Sequence, residues 1–101
     1  MFVGFYWKTK KRSAHIRNNR KYILENINSS EELINSLLSL NCITEKQSQF
    51  IQRQRSNRVK NAELLRIVRS FDNNKSSNFI KCLQRTNQKT MAKILENGGG
   101  L

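Results

Sequence analysis

"SSEELINSLLSLNCITEKQ", residues 29–47, decides the fold. It gathers three of the seven carboxylates, Glu31, Glu32 and Glu45, in a chain that carries 19 Lys and Arg. Ser29 or Ser30 suits an N-cap, where a side-chain oxygen takes an otherwise unpaired backbone N–H. Glu31 and Glu32 then fall in the first turn, at the positive end of the helix dipole. Leu33, Ile34, Leu37 and Leu38 follow at helical spacing, with Leu40 near the end. Asn41 stops this helix, Ile43 plugs the core from the connection, and Thr44 to Gln47 has the Thr-x-x-Gln form of a capping box, which starts the next helix. Helix, short connection and capped helix in so few residues predict an all-α domain.

Working outward, "IRNNRKYILENI" before this stretch sets Ile16, Ile23 and Ile27 on one stripe, so a first helix is predicted over about Ser13 to Ile27, with Arg17, Arg20 and Lys21 outside the stripe. Beyond it, Phe50 and Ile51 read as the third helix's apolar contacts. Ser56 or Asn57 starts a fourth helix whose Val59, Ala62, Leu64, Leu65, Ile67, Val68 and Phe71 read as a broad buried face. "FDNNKSS" reads as a turn cluster. Phe79, Ile80 and Leu83 then recur at helical spacing, "RTNQ" breaks the chain, and Met91, Ala92, Ile94 and Leu95 form a last short helix ended by Asn97 and Gly98. Six short helices with short connections are what an antiparallel bundle requires.

Composition agrees with one modest core. The chain has 101 residues, 37% hydrophobic, and no proline, which suits a compact helical domain and is too short for a deep catalytic cleft with a separate lid. Cys42 and Cys82 form no Cys-x-x-Cys pair and the single His15 has no second ligand near it in sequence, so no metal site, cofactor site or catalytic residue is assigned. The thiols read as semi-buried groups in a reducing cytosol, Cys82 beside Ile80 and Leu83 as part of the core, and His15 as a surface residue of the first helix. "MFVGFYW" before "KTKKR" has its charge after the apolar run, the wrong order for a secretory signal, and is too short to span a bilayer. Residues 1–12 are read as an N-terminal extension, apolar then basic, with residues 98–101 as a flexible tail.

The order of these motifs over residues 13–97 resembles the caspase recruitment domain (CARD) of the death-domain superfamily. "IRNNRKYILENI" looks like its first helix, "EELINSLLSLNCITEKQSQFI" like helices two and three, "NRVKNAELLRIVRSF" like helix four, and "SNFIKCLQRTNQKTMAKILENG" like helices five and six. The resemblance implies a six-helix antiparallel Greek-key bundle, a first helix often kinked, and no catalysis. It also implies homotypic association, in which a basic surface of helices one and four docks on an acidic surface of helices two and three. On this pattern the basic face comprises Arg17, Arg20, Lys21, Arg58, Lys60 and Arg66, and the acidic face Glu31, Glu32 and Glu45. Helix four departs from it: Glu63 and Val59 stand where basic residues are expected, leaving Arg58, Lys60, Arg66 and Arg69 as partial substitutes.

The implied partner is another CARD-containing protein of apoptotic or innate-immune signalling, or further copies of the chain in an oligomer or filament, in the cytoplasm. Caspase prodomain, sensor, adaptor and CARD-only decoy all fit. Glu31 and Glu32 also have a purely structural account, as helix-start charges contributing about 0.3–1 kcal/mol each. The formal charge of +12 offers an alternative, a basic helical nucleic-acid-binding protein, although the aromatics Phe2, Phe5, Tyr6 and Trp7 are bunched at one end instead of interleaved with the basic helices. Membrane-surface attachment through residues 1–12 is compatible with either reading.

Overall fold

The computed structural model describes residues 14–97, all helix and connection with no strand among them. The expected extension over 1–12, with its aromatic run, and the tail over 98–101 lie outside the described residues. The helices are α1 (residues 14–18), α2 (Arg20–Asn26), α3 (Glu31–Ser39), α4 (Glu45–Gln52), α5 (Asn57–Val68), α6 (Asn73–Arg85) and α7 (Lys89–Asn97). This is the expected six-helix antiparallel bundle with its first helix broken in two. The break is at Asn19, whose N–H reaches both His15 O and Ile16 O while its own Nδ2 donates to His15 O at 2.7 Å. A side chain competing for the helix carbonyl in this way interrupts the regular ladder.

Local chemistry fixes the other ends. Ser30 Oγ accepts from Leu33 N–H, Ser56 Oγ from Val59 N–H, and Asp72 Oδ1 from Lys75 N–H. Thr44 and Gln47 make both bonds of a capping box. Two helices end on asparagine in the left-handed region, Asn41 at φ 60° and Asn87 at φ 64°. At each, the next N–H reaches back over the turn, Cys42 N–H to Leu37 O at 2.9 Å and Gln88 N–H to Leu83 O at 2.8 Å, the six-to-one bond of a Schellman motif.

Non-sequential packing of α2 on α5 and of α3 on α6 closes the bundle, while α3 on α4, α4 on α5 and α6 on α7 pack as chain neighbours. Its core runs from Ile16 to Leu95 and includes Leu33, Leu37, Ile51, Leu64 and Phe79, none of them exposed. Phe71 meets Phe79 edge to face, ring centroids 6.4 Å apart. Polar bonds pin the joints. Asn61 Nδ2 donates to Leu24 O at 3.1 Å while its Oδ1 accepts from Ser29 Oγ at 2.6 Å, tying α5 to the end of α2. Gln88 bonds both backbone groups of Asn28, each at 2.9 Å, joining two distant connections.

Several expectations are corrected. "FDNNKSS" is not a turn cluster: Asp72 is an N-cap and Asn73 onward is helix, because residues that favour turns are also those that cap helices. On α5 the buried stripe is Asn61, Leu64, Leu65 and Val68; Val59 is 41% exposed and Ala62 is exposed. At about 100° per residue, Val59 lies roughly 200° from Asn61 and faces solvent. Phe50 is 46% exposed, since Ser48 and Ile51 hold the inward face of α4. Cys42 is buried at 3% exposure instead of semi-buried, and Cys82, at 0%, is core as its place beside Ile80 and Leu83 implies. His15, read as a surface residue, is buried against the end of α7, with its Nδ1 2.6 Å from Leu95 O.

Candidate functional site

Arg17, Arg20 and Lys21 are exposed on α1 and α2, outside the buried Ile16 and Ile23. Arg58 is exposed beside the end of α2, where it lines a shallow hollow of about 550 Å³ with Glu25, Asn28 and Asn57. The contacts of Leu24 and Ser29 with Asn61 set the end of α2 against the start of α5, so the start of α2, with Arg20 and Lys21, runs toward the later turns of α5. There Arg69 is exposed. It stands 11 residues, about three turns, after Arg58 and so on the same flank. In the sequence it reads only as a partial substitute on helix four, although its spacing from Arg58 is a readable signal that puts the two on one flank.

The other two expected residues lie elsewhere. Lys60 is half-buried, and at about 100° per residue it falls roughly 200° round the helix from Arg58, on the flank shared by Glu63 and Ile67. Arg66 pairs with Glu63 at 2.7 Å and borders a hollow shared with Lys46 and Phe50 of α4. The expected basic set is therefore divided, with Arg17, Arg20, Lys21 and Arg58 toward the α2 side of α5 and Lys60 and Arg66 toward its α4 side.

Glu31, Glu32 and Glu45 are all exposed in first helical turns. They are not one cluster. Glu45 shares a hollow with Leu38 at the far end of α3, so roughly 10 Å of helix separates it from Glu31 and Glu32. Lys46 follows Glu45 directly and is exposed, which leaves the start of α3 as the more purely acidic position.

The buried groups offer no reactive centre. Burial pushes the Cys82 thiol up to about 11, with nearby Cys42 adding to the rise and Arg85 opposing it. Cys42 is raised as well, first by burial, against the lowering effect of Lys75. Thiols held neutral are poor nucleophiles. His15 Nδ1 donates to a carbonyl of the last turn of α7, while its Nε2 is buried without a hydrogen-bond partner. Among the described residues, no three His, Cys, Asp or Glu side chains gather as a metal site, and no helix is long and apolar enough to cross a membrane.

Exposed charge of both signs on a small helical scaffold is suited to recognition of another macromolecule. No curated protein and no solved structure matches the chain. The family described as the caspase recruitment domain matches residues 13–98, nearly the whole of it. An all-helical bundle of this order and this family match together establish that the chain belongs to the caspase recruitment domain family, whose members are homotypic protein–protein interaction modules.

Proposed function

We propose that residues 13–97, flanked by 1–12 and 98–101, act as a recruitment module of apoptotic or innate-immune signalling in the cytoplasm. It associates with another CARD through a basic surface on α1, α2 and α5 and an acidic surface at the start of α3. Arg17, Arg20, Lys21 and Arg58 carry the basic side, joined by Arg69, with Lys60 and Arg66 at its margin. Glu31 and Glu32 carry the acidic side, with Glu45 peripheral. The observation that supports this most is the exposure of both sets on separate helices of one CARD.

Opposite charge raises the encounter rate and fixes register. Because the two surfaces differ, the contact is heterologous and can repeat into an open filament instead of closing as a dimer. Whatever chain is attached to the module is thereby concentrated, which suits a caspase prodomain or a CARD-only regulator. The predominance of basic charge favours the effector side of such a pair.

Light scattering and negative-stain imaging across salt and concentration, beside an Arg20→Glu variant, test the reading. Large assemblies that vanish with the variant are expected. A chain that stays monomeric under every condition, in both forms, argues against self-assembly and leaves recruitment by a different CARD to be sought.

A further inference from the structure

The exposed stripe of α4 is neither acidic nor apolar. Lys46, Phe50 and Arg53 follow one another at four and three residues, the spacing of one helix face, and all three are exposed. Arg55, exposed in the connection that follows, extends the row. Across a hollow of about 390 Å³ lined by Lys46, Gln47, Phe50 and Ile67, α5 contributes Arg66, which is paired to Glu63. Lys46, Arg53 and Arg55 have no ion-pair partner among the described residues. An aromatic ring left 46% exposed between cations is the combination that the aromatic run before residue 8 lacked.

We propose that this α4–α5 surface binds single-stranded nucleic acid, with a base stacked on Phe50 and phosphates on Lys46, Arg53 and Arg55. A stacking site needs one ring face with cations beside it. A protein partner needs about 800 Å² on each side with an apolar centre, and here the exposed large apolar side chains are Phe50, beside the half-buried Ile67, and Val59 on α5, outside the hollow. A second copy is also a poor occupant of this patch: the chain carries seven carboxylates against 19 cations, and Glu63 is already paired. From Lys46 to Arg53 the helix rises about 10 Å, roughly three nucleotides of a stacked strand. The site stands apart from the main residues of the homotypic reading, which lie at the start of α3 and on the far flank of α5, and shares with it only the marginal Arg66.

Fluorescence anisotropy with a labelled single strand of about 12 nucleotides tests it, at chain concentrations where light scattering reports a monomer. Phe50→Ala should weaken binding about tenfold and Phe50→Tyr should not. Arg53→Glu with Arg55→Glu should weaken it further and reduce the salt slope by about 1.4, two phosphates at about 0.7 each. The charge-matched pair Arg85→Glu and Lys93→Glu, on α6 and α7, should lose far less. A duplex of the same sequence should bind more weakly than the single strand. Equal losses from the two charge-reversed pairs, or indifference to Phe50→Ala, would reduce the interaction to the net charge and overturn the proposal. Competition by a poly-glutamate peptide as effective as the single strand would overturn it in favour of an acidic protein.

Discussion

The two longest helices of the molecule divide its work. Helix α6 buries Ser76, Phe79, Ile80, Cys82 and Leu83 and lies between α3 and α7. Helix α5 buries a narrower stripe that includes a polar residue, Asn61, and turns Arg58, Val59, Ala62, Arg66 and Arg69 to solvent. The apolar residues of the fourth helix, α5, read in sequence as the broadest buried face. Burial gives that place to α6, because hydropathy counts apolar residues while packing depends on which side of the helix they occupy. The helix with the thinner apolar stripe has its other side free to display charge.

Changes on α6 should therefore damage the fold more than changes on α5. Phe79→Ala removes an aromatic that is wholly buried and packs on Phe71, and should cost about 3–5 kcal/mol in urea denaturation, a large part of the stability of a small domain. A loss of under about 1 kcal/mol would contradict the role given to α6. Asn61→Ala, the most damaging change expected on α5, leaves Leu24 O and Ser29 Oγ without their partner and should cost about 1–3 kcal/mol. If it proves harmless, the α2–α5 joint is apolar packing after all.

At the end of α6, Asn87→Ala keeps a β-carbon in the left-handed region but loses the short polar side chain that eases that conformation, and should cost about 1 kcal/mol. Asn87→Gly should not destabilise, since glycine is the preferred residue there. Thermal melts of the two variants separate a backbone requirement from a side-chain one. The smallest effect is expected on the outer side of α5, where Arg58→Glu should leave stability within about 0.5 kcal/mol and alter association alone.

Much of this bundle was readable in the sequence. The capping box at Thr44 and Gln47, the cap at Ser30 and the aliphatic stripes of α3, α6 and α7 depend on spacings of three and four residues. Features set by distant neighbours were not. His15 sits in a basic, polar stretch and is buried only because Leu95, 80 residues away, presents a carbonyl to it. Asn61 is equally polar in sequence and gains its place from Leu24 and Ser29. Phe50 misled in the other direction: a large apolar side chain reads as core, yet its helix neighbours Lys46 and Arg53 are both charged, and that signal pointed outward. For the charged surfaces the sequence supplied the residues and their helices. Their grouping depended on how α2, α4 and α5 pack, which separated Lys60 and Arg66 from Arg58 and put Glu45 at the opposite end of α3 from Glu31.

The central claim is that two unlike surfaces of this CARD are complementary. Mixing two broken copies tests it most directly: Arg20→Glu, which spoils the basic side, and Glu31→Lys with Glu32→Lys, which spoils the acidic side, each followed by light scattering coupled to size-exclusion chromatography alone and together. Each variant is expected to be monomeric alone, and the mixture to form a discrete one-to-one pair that cannot extend, because each copy retains one working surface. A mixture that stays monomeric, or variants that assemble as well as the unaltered chain, would contradict the account.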